Sequence, residues 1–417
     1  MEGNVKRRLI LLVSGLLVVG LTFGMSYMQK ASATVPGTNQ LISQDSSGTY
    51  ANGKSENVAI SGDGRYVAFE SYATNLVTGG TNGYRNVFVK DTSTGSVVLA
   101  SVNWVAGTQF TYDNSLRDIS YNGRYVVFTY GGSGLLAVRD LVNNTTTPVC
   151  QPALGCSSYG MQGGAISADG RYVTYTSQSY PGLSYQAMLT DMTTNTAKVI
   201  SVDSSGTIGN GGSSPGDISC DGGTITFYSG SSNLPGGSGG YIANIGLNGN
   251  VNLTHISYVT QPTKLSCNGN ILLTSYSSSI GEYNRLTGQA TTISYISWPT
   301  YTIVGMGISD DGRYVTYATS ASQSTTPSYP STGASIYQDV YLYDMKTSTR
   351  QLISFTTAGN RSGLVKSTAI ALSDDGSKVA YTYQTPTTTD TTHELVSGVT
   401  TGTASTQDDV YTSLTGL

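Results

Sequence analysis

Asp118, Asp217 and Lys264 share one recurring position in this chain: each stands two residues ahead of a serine belonging to a repeated five-residue motif. The other copies carry Ala59, Ala165, Gly307 and Ala371 there. Carboxylates facing a common channel can do acid–base work on a sugar when their separation suits it. They can equally solvate a pore or accept backbone N–H bonds, and the sequence favours that plainer reading. Other chemistry is sparse. The pairs Asp310-Asp311, Asp374-Asp375 and Asp408-Asp409, and the segment Thr81-Asn82-Gly83, lack the alternating oxygen ligands and closing Glu of a calcium loop. His255 and His393 are the only histidines, and with four cysteines they leave little for a multi-ligand metal site or a His-dependent catalyst. No metal and no cofactor is expected.

The elements that must position such residues follow from composition. Only 11% of the 417 residues are Asp, Glu, Lys or Arg, against roughly 25% in an average soluble chain. With 51 Gly, 30 Tyr and abundant Ser and Thr, the chain lacks the Glu, Lys and Arg that cover helix surfaces, so the class is all-β. A net charge of -4 offers no basic surface to a phosphate backbone, which argues against nucleic acid as a partner.

The repeat itself reads aliphatic, Ser, any residue, Asp or Asn, Gly. It occurs at Ile60–Gly64, Ile119–Gly123, Ile166–Gly170, Ile218–Gly222, Leu265–Gly269, Ile308–Gly312 and Leu372–Gly376, with successive serines 43 to 64 residues apart. Asp-Gly and Asn-Gly are strong hairpin signals. After each turn an aliphatic residue and, two positions on, an aromatic (Thr274 in the fifth copy) mark a period-2 strand with one packed face. Third and fourth strands follow, so the unit is a four-stranded meander. The sequence predicts a seven-bladed β-propeller of four-stranded antiparallel blades. The segment from Gln40 resembles a fourth strand and Asp409–Thr412 a third, so the N-terminal strand is expected to complete the last blade and remove its open edge.

Four copies carry both an Arg after the turn and an Asp ending the third strand; the other three carry neither. Pairs Arg65/Asp91, Arg124/Asp140, Arg171/Asp191 and Arg313/Asp344 are therefore expected as structural contacts between neighbouring strands. Cys150 and Cys156 bracket a short loop with Pro and Gly and are expected to bond. Cys220 and Cys267 share one motif position in adjacent blades, where a cross-blade bond requires Cα atoms within about 7 Å.

Lys6, Arg7 and Arg8, an apolar run from Leu9 to Met25 and Ala31-Ser32-Ala33 read as an export signal over residues 1–33; an uncleaved anchor is the competing reading. Residues 34–417 are expected to form one domain outside the cytoplasm, as a monomer, touching a membrane only through an uncut N-terminal segment.

Residues 38–417 resemble the TolB-type, WD-repeat-like bacterial propeller family. Ser61–Ser71, Ser309–Tyr317 and Asp339–Asp344 carry that resemblance. It implies the fold more than a function. Members of the wider family include propellers of prolyl-oligopeptidase-like enzymes, which need a hydrolase domain absent here, and lyases acting on oligogalacturonate, which look for a His-centred metal site in the channel. Neither His255 nor His393 is placed to build one.

Long connections between second and third strands in blades one, six and seven are expected on one face, with Tyr72, Tyr84, Tyr329 and Tyr337 as contact surface, or else as flexible or glycosylated decoration. The leading expectation is a non-enzymatic binding protein for an extracellular or envelope protein or glycan. The alternatives are a glycan-active enzyme using channel carboxylates and a structural envelope or surface-layer component.

Overall fold

In the computed structural model, residues 32–33 and 39–415 are described, apart from 105–106, 132–133, 150–160, 178–183, 247, 258, 260–261, 277–278, 296–302, 320–338, 355–364 and 386–406. Every named element is a strand, and the strands form seven antiparallel sheets of four arranged in a ring. Blade one is Ser55–Ile60, Tyr66–Ser71, Asn86–Asp91 and Val97–Leu99, running from the channel outward. The inner strand of each blade touches the inner strand of the next all the way round, including blade seven against blade one. Blade six carries one addition, Ser32–Ala33 lying parallel to Thr349–Leu352.

The repeated motif forms the inner turn, and its invariant residues have separate duties. In blade one Ser61 donates its hydroxyl to Asp63 Oδ1 at 2.7 Å and accepts the Tyr66 N–H at 2.9 Å, while Asp63 Oδ1 also takes the Arg65 N–H at 3.0 Å. Gly64 sits at φ 69°, a conformation costly for any residue with a Cβ. The serine hydroxyl makes the same bond to its turn Asp or Asn in the other six blades. The turn is thus closed by its own side chains, which explains a sequence repeat so much sharper than the blades around it.

Between blades the alternating apolar residues interdigitate. Val67 and Phe69 of blade one are fully buried, and Phe69 stacks on Phe88 with ring centroids 5.8 Å apart. At the bottom of the blades Arg65–Asp91, Arg124–Asp140, Arg171–Asp191 and Arg313–Asp344 pair at 2.6 to 2.7 Å, each guanidinium also lying over the tyrosine that follows it. The guanidinium beside Asp140 holds its carboxyl down to about 2.

Blade seven closes the ring. Val365–Leu372, Lys378–Thr385 and Gln407–Leu414 come from the C-terminus, and Asn39–Leu41 supplies the outer strand, with Leu41 opposite Tyr411. Ser43 Oγ donates to Asp409 Oδ1 at 2.8 Å, so the segment from Asn39 and the C-terminal strand are tied into one sheet. Among the described residues no helix is long and apolar enough to cross a membrane. The expected signal lies outside the described residues except for Ser32–Ala33.

Candidate functional site

The inner strands enclose a cavity of about 410 Å³ along the ring axis. Each inner strand shifts register against its neighbour near the wide end, blade two between Leu116 and Asp118. Side chains of consecutive strand residues normally point to opposite faces, and a bulge relaxes that rule. Here it lets Arg117 and Asp118 both line the channel. Arg117 is exposed to the cavity and forms no ion pair among the described residues.

Asp118, Asp217 and Lys264 are brought together on the channel wall. Asp217 Oδ2 lies 3.6 Å from Lys264 Nζ, and this charge raises the ammonium above its ordinary value. Both carboxylates also hold the ring together. Asp118 accepts the N–H of Ile119 at 2.9 Å and of Ile166, in the next blade, at 3.0 Å. Asp217 repeats the arrangement with Ile218 at 3.0 Å and Leu265 at 3.1 Å. Burial lifts the Asp118 carboxyl to about 6, with Lys264 and the two N–H groups opposing the rise and Asp217 adding to it.

The motif residue after each serine forms the narrow end. There Gly62 donates its N–H to Tyr121 O at 2.8 Å, Ala168 to Cys220 O at 3.0 Å, Cys220 to Cys267 O at 2.8 Å and Asp310 to Asp374 O at 2.7 Å, stitching blade to blade. Cys220 and Cys267 are disulfide-bonded across blades four and five with Cα atoms 4.7 Å apart. Their sulfurs and an Asp374 carboxylate oxygen, from blade seven, all lie within 4.8 Å of one another. Gly62 must be glycine: a Cβ there would come within 2.3 Å of the Tyr121 ring and 2.7 Å of Asp374 Oδ2. Burial, helped by Asp310 and Asp217, raises the Asp374 carboxyl to about 7.

Sequence reasoning missed Arg117, because a bulge leaves no mark in a period-2 pattern. It also placed Asp374 only as a turn residue, although its alignment with Cys220 and Cys267 was a readable sign that it faces the channel. Tyr72 and Tyr84 lie on the loop of blade one, away from the channel lining. The Tyr72 hydroxyl donates to Asp113 Oδ2 at 3.4 Å, and Tyr84 is exposed. Tyr329 and Tyr337, and the Cys150–Cys156 pair, lie outside the described residues. The Thr81–Gly83 segment is occupied by protein contacts, Asn82 donating to Phe110 O at 2.6 Å and accepting from Asn86 at 3.2 Å.

No family model matches the chain, and no curated protein matches it in sequence. Solved structures resemble it in fold. An oligogalacturonate lyase in complex with manganese is 14% identical over 92% of this chain and 98% of its own, with a TM-score of 0.53. The propeller domain of the Trilobed protease from Pyrococcus furiosus is 11% identical over 88% and 95%, with a TM-score of 0.52. TolB from Acinetobacter baumannii is 14% identical over 72% of this chain, which spans 62% of that protein, with a TM-score of 0.42. The resemblance therefore stands at the level of the β-propeller fold.

The expectation of a non-enzyme is overturned. A structure spanning nearly the whole of this chain is that of a lyase, so this architecture gives no ground for excluding catalysis. The manganese belongs to that protein. Here His255 lies on the outer strand Val251–Ile256, its ring 5.0 Å from Tyr241, and His393 is outside the described residues. The one group of three metal-donor side chains among the described residues is Cys220, Cys267 and Asp374, two of them bonded to each other. That donor set does not fit manganese, which prefers carboxylate, carbonyl and water oxygens.

Proposed function

We propose that the channel performs acid–base cleavage of an acidic glycan, with uronate-bearing oligosaccharides as the substrate class. The bulge in blade two carries this reading: it sets a guanidinium with no ion pair among the described residues, Arg117, beside Asp118, whose carboxyl titrates at about 6, on one wall of the cavity. A uronate needs a cation to hold its carboxylate and a base of near-neutral pKa to remove the adjacent proton. In this reading Arg117 and Lys264 bind the sugar carboxylate and stabilise the charge that gathers on it. Asp118 takes the proton from C5, the C4–O bond breaks and a C4=C5 double bond forms. Asp374, still protonated up to about pH 7, returns a proton to the departing oxygen. No water is consumed. Asp217 acts as a positioning residue that holds Lys264. The fold shared with a lyase supports this setting, and the cross-blade disulfide supports an extracytoplasmic one, with residues 1–33 as the export segment.

The test is incubation of the protein with oligogalacturonate and other uronate oligosaccharides, following ultraviolet absorbance of the unsaturated product together with new reducing ends. Both should rise in parallel and fall about 10²-fold or more in Asp118→Asn. Because Asp118 also joins blades two and three, the melting temperature of the variant is measured alongside. Reducing ends without absorbance would replace elimination by hydrolysis; no turnover of any acidic glycan would refute the proposal.

A further inference from the structure

We propose that Cys220, Cys267 and Asp374 form a latent zinc site: once the Cys220–Cys267 bond is reduced, the two thiolates and the Asp374 carboxylate hold one Zn²⁺ at the narrow end of the channel. Their donor atoms already lie within 4.8 Å of one another. A tetrahedral zinc with sulfur at about 2.3 Å and oxygen at about 2.1 Å requires donors roughly 3.5 to 4 Å apart, so only small side-chain rotations are needed.

The backbone keeps the sulfurs adjacent after the bond opens. Cys220 donates its N–H to Cys267 O at 2.8 Å, and the Asp217 carboxylate bridges the same two blades through Ile218 and Leu265. Neither contact depends on the disulfide. Asp374 is available as the third ligand, since among the described residues its side chain has no hydrogen bond or ion pair and it projects over Gly62 into the channel. Both cysteines are half-buried and line the cavity, within reach of a small dithiol.

The chemistry balances. A dithiol passes two electrons and two protons to the protein disulfide, leaving as its own cyclic disulfide, and Zn²⁺ then displaces the two thiol protons. Two thiolates with one carboxylate select zinc over calcium or magnesium, which take oxygen donors. The fourth position faces the channel. Bound zinc would also remove Asp374 as a proton donor, so that reduction would switch off the elimination proposed above; that consequence rests on the functional reading, whereas the metal site does not.

The experiment is a zinc titration against a chromophoric chelator, using protein reduced by a dithiol and freed of reductant without air, beside untreated protein, Asp374→Ala and the Cys220→Ser/Cys267→Ser double variant. Strand circular dichroism and melting are recorded for each. Reduced wild type should take up one zinc ion per chain that the untreated protein does not, and both reduced Asp374→Ala and the reduced double variant, which keeps Cys150 and Cys156, should bind at least about 10-fold more weakly. Equal affinity in reduced wild type and reduced Asp374→Ala would overturn the site. So would reduced wild type binding no tighter than the double variant, or losing its strand signal on reduction.

Discussion

Asp374→Asn should make the protein more stable at neutral pH and erase part of its pH dependence. The carboxyl rises from its ordinary 3.8 to about 7 in the folded chain. Between those values the folded state holds a proton that the unfolded state has released, so folding is favoured at the acid end and the contribution is lost as pH climbs through about 7. At about 1.36 kcal/mol per pH unit the full rise corresponds to roughly 4 kcal/mol, and water in the open channel reduces this to an expected ~2 kcal/mol. Asparagine keeps the shape and carries no charge. Urea unfolding of both proteins, with the disulfide intact, at a series of pH values from 4 to 8 reads the difference. The wild type should lose stability across that range relative to the variant, with the two coinciding near pH 4. Parallel curves, or a variant less stable than wild type near pH 8, would refute the burial argument. Asp118 would be a poorer probe, because its carboxylate also accepts two backbone N–H bonds, one of them from the next blade, that asparagine cannot keep unchanged.

Other consequences are open to direct measurement. Turnover of an acidic glycan should be bell-shaped in pH, failing below about 6 as Asp118 takes up a proton and above about 7 as Asp374 loses its own, with the two apparent values belonging to the coupled cluster. Gly62→Ala should destabilise by ~1 to 3 kcal/mol in denaturant melts, since its Cβ meets the Tyr121 ring and the Asp374 carboxylate. Phe69→Ala, which empties a fully buried site against Phe88, should cost ~3 to 5 kcal/mol in the same assay. A chain lacking residues up to Ser43 leaves Gln407–Leu414 as an unpaired edge, and light scattering should show association that the longer chain does not.

Architecture was legible in the sequence because the forces that define it are local and repeated seven times. The turn serine, the Asp or Asn it binds, and the glycine at positive φ all lie within four residues of one another, so each blade announces its own hairpin. The Arg–Asp pairs were readable for a related reason: a meander places the start of its second strand beside the end of its third, and matched residues appear or vanish together. Even ring closure showed, through a fourth-strand segment standing alone at the N-terminus.

The site was readable only in part. Asp118, Asp217 and Lys264 could be placed on the channel from one shared repeat position, but their partners come from neighbouring blades some 48 residues away in sequence. Tertiary structure alone decided that Asp217 pairs with Lys264, that a bulge turns Arg117 onto the same wall as Asp118, and that Asp374 meets the two cysteine sulfurs across the axis. The physical reason is the geometry of a ring. A repeat determines each blade from contacts within itself, whereas the charge, burial and proton affinity of an axial side chain depend on what six other blades send to the same place.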